Sequence, residues 1–411
     1  MLYRPSPWSV PRVLVRAMLV LLPLACVLLT TARADAYTWM IRHAYNGCGV
    51  CHADPSGGEV LTPYGRAQSD LLLRMRFDGK SAEEVEPGKA SNFLGFLELP
   101  QSVMLGGSGR VASTLKGGEY RVFPMQLDLY GQFRFGDFFA GGSVGVSKVP
   151  AGSPHARAAQ VTADQGDGWN MISRNHYVGL DFAEQKFTAR AGRLNLPFGI
   201  RIPEHTMWVR EATRTDRESD QQHGVALAYN SDIAHAEGMV LLGNYQVNPD
   251  EFRERGYSFF VEILAESRAA IGVSSLYTYA KRDRLTLETN VARGAHGAFT
   301  RIAIGEPFAL LGEMNLLTDS TREMGYVGFL QGDYEIVQGL HGLLTGELLN
   351  QGYPKNGEAL QIERAPGNGE AQFGAWISAA WFFLPHFDMR VDAIVRGGTD
   401  FTLLTQLHAF L

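Results

Sequence analysis

Apolar and polar residues alternate over long stretches of this chain. Between residues 123 and 135, and again between 387 and 396, every second residue is apolar and most of the others are polar or charged. Because successive side chains of a strand point to opposite faces, this pattern predicts strands with one apolar and one polar face.

The same pattern recurs and predicts about sixteen strands. Their expected bounds are 101–114, 121–135, 138–148, 172–183, 186–196, 222–230, 236–248, 256–265, 268–281, 284–294, 302–317, 325–337, 339–350, 371–384, 386–396 and 401–411. The charged polar faces and the even count favour an all-β fold, a transmembrane antiparallel β-barrel with an apolar exterior and a polar lumen. A soluble sandwich, in which the apolar faces of two sheets meet, is the alternative.

The lengths of the predicted connections support the barrel. Short and long connections alternate along the chain, with long ones expected at 149–171, 197–221 and 351–370. Outer-membrane barrels have short periplasmic turns and long extracellular loops. The alternation of short and long connections therefore predicts that the barrel begins and ends on the periplasmic side.

Composition agrees with a strand-rich chain and narrows the function. The 411 residues include 46 glycines, 23 Phe, 15 Tyr and 6 Trp, whereas only 19% of the residues are charged. This composition excludes disorder, collagen and coiled coils. The net charge of −6 leaves no broad basic surface for a nucleic acid.

The first 36 residues have the features of a secretory signal peptide. A segment with three arginines precedes the apolar stretch 17–30, and small-residue triplets suitable for cleavage follow it. A retained membrane anchor is one alternative, and lipid attachment at Cys26 is another. Cleavage leaves Cys48 and Cys51 as the two remaining cysteines.

Residues 48–52, Cys-Gly-Val-Cys-His, match the C-x-x-C-H attachment signature of c-type haem. On a helical turn, Cys48 and Cys51 would reach the two vinyl groups of one porphyrin, and His52 would bind the iron as proximal ligand. The second N–H of His52 is expected to donate to a carbonyl. We therefore predict one covalent haem c. The alternatives are a redox-active cysteine pair, half of a zinc site and a disulfide.

The sixth iron ligand is predicted among nearby Met and His residues. Met75 lies in the apolar, helix-like stretch 71–77 and is the preferred candidate, because a Met after the motif is a common arrangement that raises the reduction potential. His43 is the fallback, and Met40 and Met104 are further candidates. Core packing of Met75 and a surface position of His43 are the alternatives.

The stretch 51–66, Cys-His-Ala-Asp-Pro-Ser-Gly-Gly-Glu-Val-Leu-Thr-Pro-Tyr-Gly-Arg, resembles the haem segment of fused cytochrome–porins. These bacterial outer-membrane proteins have one N-terminal haem motif followed by a β-barrel, and the best-known members oxidise ferrous iron. The resemblance implies a signal peptide (1–36), a small α-helical monohaem cytochrome c-like domain with its linker (37–98) and a porin-like barrel (99–411). It places the haem domain in the periplasm or inside the lumen of an outer-membrane barrel.

The predicted function is electron transfer between an extracellular redox partner, either a metal ion or a small molecule, and periplasmic electron carriers. Outer-membrane lipid is the other expected partner. The alternative is a solute-diffusion porin with an accessory haem domain. A redox enzyme of the iron-oxidase type or a small-molecule reductase is a third hypothesis. No acid–base pair, nucleophile or phosphate-binding loop stands out in the sequence, so catalysis other than redox chemistry at the iron has no support.

The long connection 197–221 is a candidate for setting the charge of the pore. It carries four arginines among five acidic residues, and the segment 192–199 resembles one that is common in phosphate-selective porins. A loop folded into the lumen would control ion passage. A solvated external loop is the alternative.

Overall fold

The computed structural model describes most of the barrel and much of the segment before it. The described residues are 38–43, 47–55, 57–77, 99–100, 102–149, 168–204, 206–217, 219–265, 268–355, 360–362, 365–367 and 369–411. The predicted signal peptide and the predicted linker 78–92 lie outside the described residues.

Sixteen antiparallel strands form the main sheet. They are β1 (Val103–Lys116), β2 (Glu119–Phe135), β3 (Phe138–Val149), β4 (Gly168–Ile172 and His176–Phe182), β5 (Phe187–Leu194), β6 (Gln222–Asn230), β7 (Ala234–Leu241), β8 (Arg255–Ala265), β9 (Ala269–Arg282), β10 (Thr289–Ala303), β11 (Phe308–Asp319), β12 (Gly325–Val337), β13 (Leu340–Asn350), β14 (Gln372–Leu384), β15 (Phe387–Arg396) and β16 (Asp400–Phe410). A small hairpin, Leu360–Ile362 with Ala365–Gly367, forms a separate two-stranded sheet between β13 and β14.

The main sheet is closed. Each strand pairs with its neighbour in the chain, and β1 pairs with β16 from Ser108 opposite Phe410 to Lys116 opposite Thr402. Strand β4 is interrupted at 173–175, but both of its segments pair with β3. The predicted all-β barrel and its count of sixteen strands are confirmed.

Some predicted strand bounds are wrong because local turns interrupt the alternating pattern. Strand β10 begins at Thr289 rather than near 284, since Oδ1 of Asp283 accepts hydrogen bonds of 2.8 Å from the backbone N–H groups of Leu285 and Thr286. Such Asp-anchored turns compete with strand pairing. Strand β7 ends at Leu241 rather than near 248, and Gly243 follows it with a φ of +97°.

Exposed apolar side chains point outward, and charged side chains face the lumen. On β2, Leu127 and Leu129 are 56% and 64% exposed, whereas Asp128 and Gln132 are 2% and 0% exposed. On β15, Asp392 is completely buried. A soluble domain has the reverse arrangement, whereas an apolar exterior around a polar lumen is typical of a transmembrane barrel.

The connections fall into two classes at the two ends of the barrel. One end carries the short turns, such as 136–137, 338–339 and 385–386. The other end carries the long connections 150–167 and 195–221, besides shorter ones. Strand β1 begins and β16 ends at the short-turn end. The predicted separation of short and long connections between the two ends of the barrel is therefore confirmed.

The residues before the barrel form three short helices inside the short-turn end. These are a 3₁₀ helix (Thr38–His43), helix α1 (Pro63–Gln68) and a π-helical turn (Ser69–Leu73). The predicted helical stretch 71–77 is therefore only partly helical, because the turn ends before Met75 with Arg74 in an extended conformation. Within the described part of the chain, none of the helices has the length and apolar character needed to cross a membrane.

Candidate functional site

The C-x-x-C-H motif forms a single helical turn. The backbone N–H of His52 donates to the carbonyl of Cys48 at 3.0 Å, and Cys51 is buried within the turn. The chain then folds back on itself, since the N–H of Thr62 donates to the carbonyl of Cys51 at 2.8 Å. Both cysteines carry thiols and are not joined in a disulfide. This geometry presents the two thiols and the imidazole from one turn.

The Gly- and Pro-rich stretch after the motif wraps closely around it. Gly57 adopts a φ of +84°, and a Cβ at this position would lie 3.1 Å from Sγ of Cys48. A Cβ at Gly65 would collide with the backbone of Cys51. Thr62 caps helix α1 by accepting from the N–H of Gly65 at 3.1 Å, and its hydroxyl donates to the carbonyl of Val50 at 2.7 Å. The sequence around the motif therefore matches its tight fold.

Buried ion pairs fix this segment to the lumen wall. Nη1 of Arg42 lies 2.5 Å from Oδ1 of Asp333, and both side chains are buried. Oδ1 of Asp54 lies 2.8 Å from Nη1 of Arg190, again between buried side chains. Removing one partner of an isolated buried pair costs about 3–5 kcal/mol. The cost of losing Asp54 is smaller, because Arg190 also pairs with Glu237.

Apolar contacts add to these pairs. Trp39, Met40, Ile41 and Leu73 form one buried cluster, and its wall residues are Leu264, Ala270, Ala309 and Phe382. The N–H of Met75 also donates to the carbonyl of Phe382 at 2.7 Å. The segment thus has no separate hydrophobic core among its described residues and packs on the barrel instead. We refer to the described residues 38–77 as the plug.

The connection 195–221 folds into the lumen above the plug. Backbone N–H groups of Ile200 and Trp208 donate to the inward-facing carboxylates of Glu313 and Glu347 at 2.8 and 3.0 Å. Its short helix α2 (Trp208–Thr213) packs against strands β11 to β13. Of the two hypotheses for this loop, the lumenal one is therefore the structure observed.

A cavity lies between the plug, this loop and the wall. The space that these three parts enclose is about 1130 Å³, and part of it is open solvent. Cys48, Cys51 and His52 line it together with Met40. The barrel contributes further lining residues, among them Ser108, Arg110, Gln126, Tyr130, Arg174 and His408.

Burial sets the protonation of the motif. It raises the pKa of the Cys48 thiol to about 11, and the nearby Arg301 offsets only part of this effect. Burial also lowers the pKa of His52 to about 4, and Arg217 acts in the same direction. At neutral pH the imidazole is therefore uncharged, which is the form that binds a metal ion.

The surroundings of the His52 ring agree with the sequence prediction only in part. Nδ1 of His52 is buried and has no hydrogen-bond partner among the described residues. The backbone of Gly58 is nevertheless close enough to favour the charged imidazole. The predicted hydrogen bond from this ring to a carbonyl is therefore not formed among the described residues.

The structure brings some of the predicted site residues together and separates others. Among the described residues, the thioether that lines the cavity is that of Met40. Met75 lies outside the lining, at the short-turn end of the barrel. His43 also lies outside it, with Nε2 at 3.5 Å from the carboxylate of Glu335. Met104, on β1, is not part of the lining either.

The barrel side of the cavity cannot be predicted from the sequence. Arg110, Tyr130 and His408 lie on strands whose alternation predicts which side chains face inward, but the alternation does not show which strands face the motif. Across the described residues, no group of three or more His, Cys, Asp or Glu side chains is arranged to hold a metal ion.

Comparisons with known proteins bear on the fold. No family model matches this chain, and no curated protein matches its sequence. OmpT, an outer-membrane protein of Vibrio cholerae, superimposes with a TM-score of 0.55 at 10% identity, over 75% of this chain and 99% of that one. The outer membrane channel DcaP of Acinetobacter baumannii gives 0.51 at 13% identity, over 75% and 97%.

A third structure agrees with these two. The anion-selective porin from Comamonas acidovorans gives a TM-score of 0.51 at 11% identity, over 75% of this chain and 99% of that one. At such low identity the likeness concerns the fold alone. This chain therefore has the closed antiparallel barrel fold of the outer-membrane porins.

Proposed function

We propose that this chain is an outer-membrane cytochrome–porin that carries electrons between an extracellular redox partner and periplasmic electron carriers. The observation that carries this proposal is the position of Cys48, Cys51 and His52, which line one cavity inside a closed barrel. A porin needs no thiol pair and imidazole in its lumen, whereas covalent haem attachment needs this set.

The residues present fit the group that the motif implies. The helical turn places both thiols and the imidazole on the same cavity, which is the donor set that covalent haem attachment needs, and the neighbouring lining residues include apolar Leu61 and Leu73. In this proposal Cys48 and Cys51 attach the porphyrin, and His52 binds the iron. The bound haem supplies one-electron redox chemistry, and the barrel wall separates it from lipid.

The first test is covalent haem attachment. The mature protein, expressed with haem-maturation machinery, should keep a haem-dependent peroxidase stain at its own mass on a denaturing gel. Cys48→Ala/Cys51→Ala should lose the whole stain, because a thioether bond survives denaturation and a coordinate bond does not. Cys48→Ala should lose only part of it, because Cys51 can still form one thioether. Ser113→Ala, on the barrel wall, is the control and should keep the full stain. A wild-type protein without stain would contradict the proposal.

The sixth iron ligand stays a prediction with two thioether candidates. We expect Met40→Ala to abolish the weak long-wavelength absorption band of thioether-ligated ferric haem and to lower the reduction potential, because Met40 lines the cavity. Met75→Ala serves as the paired variant and should keep the band. Loss of the band in Met75→Ala alone would instead establish the candidate that the sequence favours. A wild-type protein without the band would exclude a thioether as sixth ligand and would make His43 the leading candidate.

A solute-diffusion porin with an accessory haem is the second candidate function. The observation that favours it is the loop 195–221, which narrows the lumen and carries several charged side chains. Loops of this kind set ion selectivity in pores. The plug argues against free diffusion, since its buried ion pairs hold it in the lumen.

A further inference from the structure

The cavity around the motif has more positive than negative side chains. Four arginines line it, at positions 110, 174, 201 and 217, whereas Glu59 is the one acidic side chain among the described lining residues. A low-dielectric cavity with such an excess of positive charge favours an anionic ligand.

These arginines differ in how they are paired. Nε of Arg174 lies 2.8 Å from Oδ2 of Asp128, so its charge is compensated. Arg110 is only 7% exposed, and its side chain makes no hydrogen bond or ion pair with a described residue. The carboxylate of Asp388, on the same side of the barrel, is bound at 2.9 Å by Nδ1 of His408, the residue opposite Arg110 in register.

Arg201 reaches the cavity from the lumenal loop. Its Nη2 donates to the carbonyl of Leu196 at 2.7 Å, and no carboxylate of a described residue lies within ion-pair distance. Loss of hydration lowers the pKa of Arg201, because Asp54 and Glu237 offset only part of that loss. Arg201 and Cys48 are close enough to influence each other electrostatically, so this guanidinium lies near the proposed attachment site.

A guanidinium removed from water without an adjacent counter-charge is destabilising, and an anion at hydrogen-bonding distance removes that penalty. Guanidinium groups bind carboxylates in a fork geometry. Haem is an apolar ring with two propionate carboxylates. This matches a cavity that combines apolar residues with two arginines that have no ion-pair partner among the described residues. The geometry points to Arg110 and Arg201 as the residues that bind the propionate carboxylates of the haem. This inference rests on the proposed function.

The test uses the full mature holoprotein in detergent and follows the reduction potential of the haem as a function of pH. In Arg110→Gln and Arg201→Gln, the potential at neutral pH should fall, because a nearby cation favours the reduced haem. The pH at which propionate protonation changes the potential should rise by about one unit, because the stabilising positive charge is lost. Arg110→Lys and Arg201→Lys keep the positive charge. Their potential at neutral pH and their pH of propionate protonation should therefore lie close to those of the wild type.

Other groups around the cavity titrate or carry charge, and they are the same in every variant. They are His52, Glu59, Tyr130, Arg217 and His408 in the lining, and Asp54, Asp128, Glu237, Arg301 and Asp388 close to it. Because these groups are unchanged, a difference between the pH profiles of a Gln variant and the wild type reports the arginine that was replaced.

Arg174→Gln is the matched control, since Arg174 lines the same cavity but is already paired with Asp128. Arg174→Gln should change the reduction potential, and the pH at which propionate protonation changes it, much less than the other two Gln variants do. Unchanged potentials and pH profiles in both Gln variants, with haem attached, would overturn the inference while leaving the proposed function standing. A pH profile that shifts with added inorganic phosphate would also overturn it, because the arginines would then hold a free anion. A wild type without covalent haem would overturn the proposed function and this inference together.

Discussion

Deletion of residues 37–92 is expected to turn a poorly conducting barrel into a steadily conducting one. The plug occupies the short-turn end of the lumen and is held there by buried pairs such as Arg42–Asp333 and Asp54–Arg190. An empty barrel of sixteen strands encloses an aqueous channel. In planar bilayers we expect single-channel conductance to rise by about tenfold or more on deletion.

The lumenal loop 195–221 stays in the deletion variant, so the new channel should be narrower than that of an unobstructed barrel. Heat-modifiable mobility on gels checks that the shortened barrel has folded. The deletion removes Arg42 and Asp54 and leaves their partners Asp333 and Arg190 on the barrel wall. Asp54→Lys in the full chain is a milder second variant, because it places like charges together at Arg190. High and equal conductance in the wild type and the deletion variant would mean that the plug does not block the lumen.

Cys48→Ala is the control for this experiment. It removes one point of haem attachment but none of the ion pairs described for the plug. Its conductance should therefore stay as low as that of the wild type. A conducting Cys48→Ala variant would show that the bound haem, rather than the polypeptide, closes the pore.

The barrel can be predicted from the sequence because its determinants are local. Strand alternation follows from side chains that point to opposite faces, and it is visible residue by residue in segments such as 123–135 and 387–396. Connection lengths indicate the parity of the two ends. The errors arise where short-range hydrogen bonds override the pattern, as at Asp283, whose carboxylate closes a turn inside a predicted strand.

The candidate site can be predicted only on its N-terminal side. Cys48, Cys51 and His52 are adjacent in the chain, so their grouping needs no tertiary information. Arg110 comes within reach of the motif only through closure of a barrel whose strands are far apart in sequence. The sequence favours Met75 because it follows the motif, whereas it is Met40, on the preceding 3₁₀ helix, that reaches the cavity.

Transfer of electrons across a liposome wall should depend completely on the attached haem. The apolar band of such a barrel is about 25 Å tall, and a haem confined to the periplasm would be separated from outside partners by most of that distance. A haem in the cavity of the plug would instead lie inside the lumen, between the plug and the loop 195–221. Its position would shorten the distance to partners on either side.

Liposomes that contain the wild-type holoprotein and an enclosed membrane-impermeant oxidant should therefore oxidise a membrane-impermeant reductant added outside. Cys48→Ala/Cys51→Ala should reduce the rate to that of protein-free liposomes, because its lumen stays plugged but holds no attached haem. Low conductance of the same preparations excludes leakage of either reagent as the cause. The deletion variant lacking residues 37–92 should behave in the opposite way to the wild-type holoprotein. It should let small reagents through but support no redox reaction at a haem. A wild-type holoprotein that conducts ions freely and transfers no electrons would favour the porin hypothesis over the one proposed.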